Sequence, residues 1–194
     1  MSTPAYIMAV PWDPQRARRA NQIRKASDGI VVWDEIQNAM DTFTRLLQQV
    51  VLAGDGSFLI LQDDVELTAD WRSKVEAAIA AHPDSVIQFF SMNPNEPLLG
   101  SRWAAGATFI SNLCVYIPAF YASQLLDYIP TFLTNYPQFK TADDFVIRYF
   151  LRGRREQFWI QSPSLVQHEN WKSAINAKRP RNRRSRHFDG EVVR

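Results

Sequence analysis

Residues 58–68 read FLILQDDVELT, an apolar run that leads directly into two adjacent carboxylates, Asp63 and Asp64. The four residues before Gln62 show no polar alternation, which predicts a strand covered on both faces, as in a parallel sheet flanked by helices. Open α/β sheets bind ligands beyond the carboxyl ends of their strands. The two carboxylates are therefore expected either to line a ligand or cation site or to be solvated in a short acidic turn.

Apolar and helical segments alternate around this run. Strand-like segments fall at 5–11, 29–34 and 85–92, and helical periodicity falls at 14–27, 38–53 and 70–82. Further along, 103–129 predicts one or two strands and a helix, 141–153 predicts a helix with Thr141 as its N-cap, and 157–169 predicts a last strand and loop. This order predicts one α/β domain with a mostly parallel, Rossmann-like sheet flanked by helices.

Composition favours a single soluble domain. The chain has 194 residues and 46% hydrophobic content, enough for one sizeable core. Cys114 is the only cysteine, which excludes an internal disulfide and predicts a buried, inert thiol. No apolar run approaches the roughly 20 residues that a membrane span needs, so neither a membrane partner nor a secretion signal is expected and the cytoplasm is the predicted location.

Charge divides the chain into two unequal parts. Residues 1–171 carry 14 Lys or Arg against 18 Asp or Glu, whereas 172–194 carry 8 against 2. The run KRPRNRRSR at 178–186 holds six positive charges in nine residues. Such a run predicts either a solvated tail or an arm that contacts phosphates. We therefore predict a domain at 1–176 and a basic C-terminal tail at 177–194.

Four motifs together suggest a family. They are IMAVP at 7–11, LILQDDVEL at 59–67, TADDF at 141–145 and PSLVQHENWKS at 163–173. In this combination the chain resembles a small GT-A type glycosyltransferase over about residues 5–173. One position departs from the family pattern, since Asn170 stands where the family often has Gly. The resemblance implies a GT-A-like fold and transfer of a sugar from a nucleotide-diphosphate donor to a hydroxyl.

The resemblance also implies a metal site. Asp64 is implied as one ligand of Mn²⁺ or Mg²⁺ and His168 as the second, while Asp63 or Gln62 would contact the donor ribose or waters on the ion. Hard oxygen ligands and an imidazole suit such ions and leave positions for diphosphate oxygens. Without the surrounding motif, a lone His after a strand is more often an ordinary core or surface residue.

A general base is expected at the start of the helix predicted at 141–153. Asp143 and Asp144 lie there, where a carboxylate interacts favourably with the helix dipole. Inverting enzymes of the resembled family use an acidic residue in this region as base. One of the two is therefore expected to cap the helix and the other to act as base, with Asp144 preferred.

Donor binding is expected along the first strand and helix and at the late motif. The cluster RARR at 16–19 suits phosphate oxygens, because an arginine can bond to them as a fork. The resemblance implies a UDP-sugar as donor. Its implied contacts are Pro11 and Asp34 with the base, Arg16 and Arg19 with the phosphates, and Lys172 and Ser173 with the diphosphate.

The acceptor depends on whether three basic clusters share a face: RARR, RGRR at 152–155, and the tail. A shared face would favour DNA, and the chain is similar in size and tail to phage-type enzymes that glycosylate hydroxymethylcytosine in the cytoplasm of a bacterial host. A bacterial surface glycan is the rival acceptor. Alternatives from other classes are a metal-dependent nuclease and a nucleic-acid-binding protein without catalysis. The sequence predicts no oligomeric state.

Overall fold

The structure is a computed structural model that describes residues 2–169, 171, 183–188 and 190. Its strands are β1 (Ala5–Ala9), β2 (Ile30–Trp33), β3 (Phe58–Gln62), β4 (Val65–Leu67), β5 (Ile87–Gln88), β6 (Arg102–Ala105), β7 (Cys114–Ile117), β8 (Gln157–Ile160) and β9 (Val166–His168). Its helices are α1 (Pro14–Ser27), α2 (Ala39–Leu52), α3 (Trp71–Ala81), α4 (Glu96–Leu99), α5 (Tyr121–Asn135) and α6 (Asp143–Arg154), with 3₁₀ turns at Gly106–Thr108 and Pro137–Phe139.

Seven strands form the central sheet, in the order β2-β1-β3-β7-β5-β8-β6. The pairs β1–β2, β1–β3 and β5–β8 are parallel, whereas β7 is antiparallel to β3 and β5, and β6 is antiparallel to β8. Five of the seven strands therefore run in one direction. The predicted single α/β domain with a mostly parallel sheet is confirmed, with β6 and β7 reversed.

Helices cover both faces of this sheet. Helices α1 and α3 pack on one face, and α2, α5 and α6 pack on the other. Strand β3 shows why its sequence lacks polar alternation: Phe58 and Ile60 join the core under α2, α5 and α6, while Leu59 and Leu61 join the core under α1 and α3. Cys114 is buried, as predicted, and burial raises the pKa of its thiol.

Two of the six α-helices in the described residues begin with a side-chain cap. The Asp13 side chain accepts hydrogen bonds from the first turn of α1, and Asn38 does the same for α2. The predicted N-cap of α6 is wrong. Ala142 takes that position. The Ala142 N–H donates to the Phe139 carbonyl, so the turn that precedes α6 includes Thr141 and the helix begins one residue later than predicted. In the described part of the chain, no helix has the length and apolar character to cross a membrane.

A small second sheet joins two distant motifs. Strands β4 and β9 pair antiparallel, with Val65 opposite His168 and Leu67 opposite Val166. The Glu169 N–H also donates to the Asp64 carbonyl at 2.8 Å. The late VQH segment is thereby held beside the acidic end of β3.

Part of the predicted tail lies on this small sheet. Residues 183–188, here called the C-terminal segment, run beside β9 and the loop before it. The Ser185 N–H donates to Gln167 Oε1 at 2.8 Å, and the Ser164 N–H donates to the His187 carbonyl at 2.8 Å. Ser185 is buried. The C-terminal segment thus packs on the body through Ser185, while Arg184 and Arg186 remain exposed. The predicted boundary at 176/177 lies outside the described residues.

Candidate functional site

The carboxyl ends of β1, β2 and β3 meet at one edge of the sheet, and the two acids after β3 lie there. Asp63 is 1% exposed and Asp64 is 3% exposed. A solvated acidic turn is therefore excluded. Two buried carboxylates this close together require compensation by cations or hydrogen-bond donors.

Arg16 compensates Asp63. Its Nε donates to Asp63 Oδ1 at 2.9 Å and its Nη2 bonds to the same oxygen, while the Val10 N–H donates to Oδ2 at 2.9 Å. Both oxygens of Asp63 are therefore engaged by the protein. Burial raises the pKa of Asp63 to about 6, although the Arg16 guanidinium opposes this shift. Asp63 serves as a fixed charge that holds Arg16 in place, whereas Arg16 was predicted to hold donor phosphates.

Asp64 and His168 form the pair that was predicted to hold a metal. His168 Nε2 lies 3.5 Å from Asp64 Oδ2. The side chain of His168 is buried, and its Nδ1 faces the carbonyl of Glu169, which fixes the proton on Nδ1 and leaves the Nε2 lone pair toward Asp64. Burial lowers the pKa of His168. Burial thus favours the neutral imidazole, which is the form that binds a metal.

Two buried atoms of this pair have unmet bonding capacity. Asp64 Oδ1 and His168 Nε2 have no hydrogen-bond partner among the described residues. Two ligand atoms about 2.1 Å from one ion, at tetrahedral or right angles, are separated by roughly 3.0–3.5 Å. The observed 3.5 Å from Nε2 to the Asp64 carboxylate fits that range, although it is measured to Oδ2, the oxygen that also accepts from Arg16, and Oδ1 is the oxygen without a partner. In the same part of the chain no cluster of three His, Cys, Asp or Glu side chains suits a metal ion, so diphosphate oxygens and water would complete the shell.

Arginines also lie beside Asp64. Arg16 Nη2 is 3.0 Å from Asp64 Oδ2, and Arg183 Nη2, from the C-terminal segment, is 3.6 Å from the same oxygen. The charges of Arg16 and Arg183 balance those of Asp63 and Asp64. A divalent ion therefore fits this site best when it arrives with an anion such as a diphosphate. In the sequence Arg183 is one of six positive charges in the run at 178–186, and nothing there predicts that it lies beside Asp64.

A second acidic position lies at the same edge. Asp143, at the first turn of α6, is buried and accepts from the Asn112 side-chain amide. Asn112 in turn accepts from Gln62 Nε2 at 2.5 Å, which links Asp143 to the end of β3. Burial, and secondly the Asp144 carboxylate, raise the pKa of Asp143 to about 7. Asp144 is partly exposed. Sequence reasoning missed Asn112, which no motif marks.

Other predicted donor residues have varied surroundings. Pro11 is exposed and follows the carboxyl end of β1. Asp34 is buried and accepts hydrogen bonds from the backbone N–H groups of Ile36 and Asn38. Arg19 donates to the Val65 carbonyl at 3.0 Å. Gln62 bonds to Asn112, as described above. Lys172 and Ser173 lie outside the described residues.

The three basic clusters do not share one face. RARR belongs to α1 and RGRR belongs to the C-terminal end of α6, and these helices pack on opposite faces of the sheet. Within RARR, Arg16 and Arg19 point into the acidic edge rather than outward. The condition that all three clusters share a face is therefore not met for RARR and RGRR, because the sheet separates them.

No family model and no curated protein matches the sequence. Among solved structures, the chain is similar to A197 from STIV, with a TM-score of 0.55 and 14% sequence identity over 87% of this chain and 85% of that chain. At this identity the similarity shows a shared fold over most of both chains. It does not show which reaction, ligand or partner belongs to either one.

Proposed function

We propose that the protein is a metal-dependent glycosyltransferase of the GT-A type, which moves a sugar from a nucleotide-diphosphate donor to a hydroxyl group. One observation carries the proposal. In the buried Asp64–His168 pair, one oxygen and one nitrogen have no hydrogen-bond partner in the part of the chain that the structure describes. The pair lies at the same sheet edge as Asp143, whose pKa burial raises to about 7. Cation binding and proton acceptance are therefore available side by side.

The leaving group explains the charges at this edge. Transfer breaks the bond between the anomeric carbon and the diphosphate, so negative charge accumulates on the departing oxygen. Asp64 and His168 would hold Mn²⁺ or Mg²⁺, which as a Lewis acid would neutralise this charge. Arg183 is held 3.6 Å from Asp64 by the C-terminal segment and supplies a guanidinium to the same place. Arg16 orients both acids through its contacts with Asp63 and Asp64.

The attacking group requires a base. As the acceptor oxygen bonds to the anomeric carbon, its proton must pass to a nearby side chain. The sequence favoured Asp144, but the geometry favours Asp143. A carboxylate with a pKa of about 7 accepts a proton more readily near neutral pH than an ordinary aspartate, and Asn112 fixes the orientation of this one. A base opposite the leaving diphosphate corresponds to an inverting reaction.

The nature of the acceptor is a separate part of the proposal. The basic C-terminal sequence supports DNA carrying hydroxymethylcytosine, with UDP-sugar as donor and the cytoplasm of a bacterial host as the setting. A bacterial surface glycan is the alternative acceptor for the same chemistry. A metal-dependent nuclease is less well supported, because Arg16 and Val10 engage both oxygens of Asp63 and leave Asp64 as the carboxylate for an ion.

The test combines a donor panel with matched variants. Nucleotide sugars are incubated with the protein, Mn²⁺ and hydroxymethylcytosine-containing DNA or a glycan, and products are identified by mass spectrometry. We expect a sugar-sized mass increase that requires Mn²⁺ and is lost in Asp64→Asn. Asp127→Asn, an exposed aspartate on α5, is the matched control and keeps full activity.

Two results would count against the proposal. One is metal-dependent cutting of DNA without any nucleotide sugar, which would identify a nuclease. The other is transfer that Asp64→Asn and His168→Ala leave unchanged, which would remove the proposed metal pair from the reaction.

A further inference from the structure

A cleft of about 760 Å³ lies at the other end of the central sheet. It is formed where β8 begins at Gln157, where the chain enters β5 at Ser85, and where the reversed strand β6 ends at Ala105. The acids lie at the opposite edge, where β3 ends. Helix α6 connects the two places, since it begins at Asp143 and its 12 residues extend about 18 Å toward the cleft. The cleft is therefore separate from the candidate active site.

Two exposed arginines, Arg152 and Arg155, lie in the lining of the cleft. Neither Arg152 nor Arg155 forms an ion pair with any residue in the described ranges, although both line the cleft. The lining also contains Glu156, but its carboxylate accepts from Arg154 at 2.6 Å and from the Tyr121 hydroxyl at 2.7 Å. The remaining acid of the lining, Asp84, is exposed to solvent. When Arg154 is counted with its partner Glu156, three arginines stand against the two acids and leave one net positive charge at the cleft, which suits an anion.

The backbone of Arg155 sets the position of that side chain. It ends α6 in the left-handed conformation, with φ of 56°. Glycine or asparagine usually takes this position, and other residues lose about 1 kcal/mol there. Asp28 ends α1 in the same conformation, so the left-handed turn is a feature of these helix ends. At the end of α6 this turn places Arg155 in the lining of the cleft.

An aromatic surface adjoins the two arginines. Trp103 is 45% exposed although it is a large apolar side chain, and it lines the cleft. Its ring packs edge-on against Trp159 at 5.3 Å and His82 at 5.2 Å between centroids. This support restricts the ring to one orientation and leaves part of it open to solvent. Trp103 is therefore prepared to stack on a planar ligand.

We propose that this cleft binds single-stranded nucleic acid, with a base stacked on Trp103 and neighbouring phosphates bound by Arg152 and Arg155. Proteins that hold single strands combine positive charge along the backbone with aromatic rings on which bases stack. A neutral glycan would use the tryptophan but gain nothing from two charged arginines. A lone phosphate would use the arginines but not the tryptophan. A free nucleotide would also use the ring and the arginines, but only a strand would continue along Arg148 on the outer face of α6.

The outer face of α6 extends the site toward the acidic edge. Arg148 lies one turn before Arg152 and stacks over Phe145 at 5.7 Å, as Arg152 does over Tyr149 at 5.8 Å. A strand bound in the cleft could follow these side chains toward Asp143. Binding in the cleft does not require the transferase activity. Only the role of the strand as acceptor rests on the proposed function.

The experiment is a fluorescence-anisotropy titration of a labelled oligothymidylate at several salt concentrations, without nucleotide sugar or metal ion. The double variant Arg152→Ala/Arg155→Gly removes both charges, and glycine also suits the left-handed backbone, so folding is retained. We expect binding about 10-fold weaker and a salt slope smaller by about 1.4, because each phosphate contact on a single strand contributes roughly 0.7. Trp103→Leu should weaken binding about five- to 150-fold through lost stacking.

Arg24→Ala/Lys25→Ala is the matched control, since both residues are exposed on α1 at the other face of the sheet. It removes the same charge, and the salt slope should stay at the wild-type value. The proposal is overturned if the cleft variant keeps the wild-type slope or if the control loses as much. The proposal is also overturned if Trp103→Leu loses binding to a neutral oligosaccharide but still binds the oligonucleotide. Because no donor is present, these results are independent of the transfer assay.

Discussion

Asp63 and Asp143 are both buried aspartates at one edge of the same sheet, yet their partners give them different chemistry. Asp63 is bonded to the Arg16 guanidinium and to the Val10 N–H, whereas Asp143 is bonded to the neutral amide of Asn112. The pKa values are raised to about 6 and about 7, respectively. The Arg16 guanidinium opposes the rise in pKa that burial causes at Asp63, whereas the Asp144 carboxylate adds to that rise at Asp143.

The largest effect is expected for the proton acceptor. Asp143→Asn keeps the size of the side chain and its bond to Asn112 but cannot accept a proton. Turnover should fall by about 10²- to 10⁴-fold, the usual contribution of a general base, while donor affinity is unchanged. Steady-state kinetics with a separate donor-binding titration measure both quantities. Asp144→Asn is the comparison variant, and a greater loss there would assign the base to Asp144.

Removing the Arg16 guanidinium from Asp63 should lower the stability of the protein. Arg16→Met leaves Asp63 and Asp64 buried without their main counter-charge, so the free energy of unfolding should fall by about 3–5 kcal/mol. Urea denaturation measures this change. Arg18→Met, an exposed residue of the same helix, should change the unfolding free energy by less than about 0.5 kcal/mol. Equal losses in the two variants would show that Arg16 does not compensate the acids.

A smaller effect is expected when His168 is removed from the proposed Asp64–His168 metal pair. His168→Ala removes one of two protein ligands, and Mn²⁺ affinity should fall by at least the roughly 10- to 100-fold that even outer-shell losses cause. Calorimetric titration of Mn²⁺ in the presence of UDP is the appropriate measurement, because Arg16 and Arg183 lie beside Asp64 and an anion is expected to bind with the ion. His82→Ala is a control at the far end of the sheet. Unchanged affinity in His168→Ala would exclude His168 as a ligand.

The smallest effect concerns pH. A carboxyl group with a raised pKa in the folded state binds its proton more tightly there than in the unfolded chain. Its stabilising contribution is present below about pH 4 and is lost as pH rises through about 7 for Asp143. The free energy of unfolding should therefore fall by up to about 1.4 kcal/mol per pH unit per group in this window. Asp143→Asn should remove that part of the slope, whereas Asp127→Asn should retain it.

Much of the candidate site could be predicted from particular residues. The approach of Asp64 and His168 followed from two motifs that the β4–β9 pairing brings together. The sequence also marked Asp143, but it favoured Asp144 as base, since adjacent aspartates at a helix start look alike until their burial is known. Neither Asn112 nor Arg183 could be identified in advance. Their positions depend on contacts between segments that are far apart in the chain, and these contacts have no local pattern.

The sequence by itself determined the buried character of β3, because an uninterrupted apolar run of strand length needs cover on both faces. It also determined the alternation of strands and helices through their periodicities. Only the tertiary structure decided that β7 enters the sheet reversed between β3 and β5, and that α1 and α6 lie on opposite faces. The reason is physical: periodicity records which side of an element is buried, whereas strand order and charge pairing depend on which buried surfaces meet.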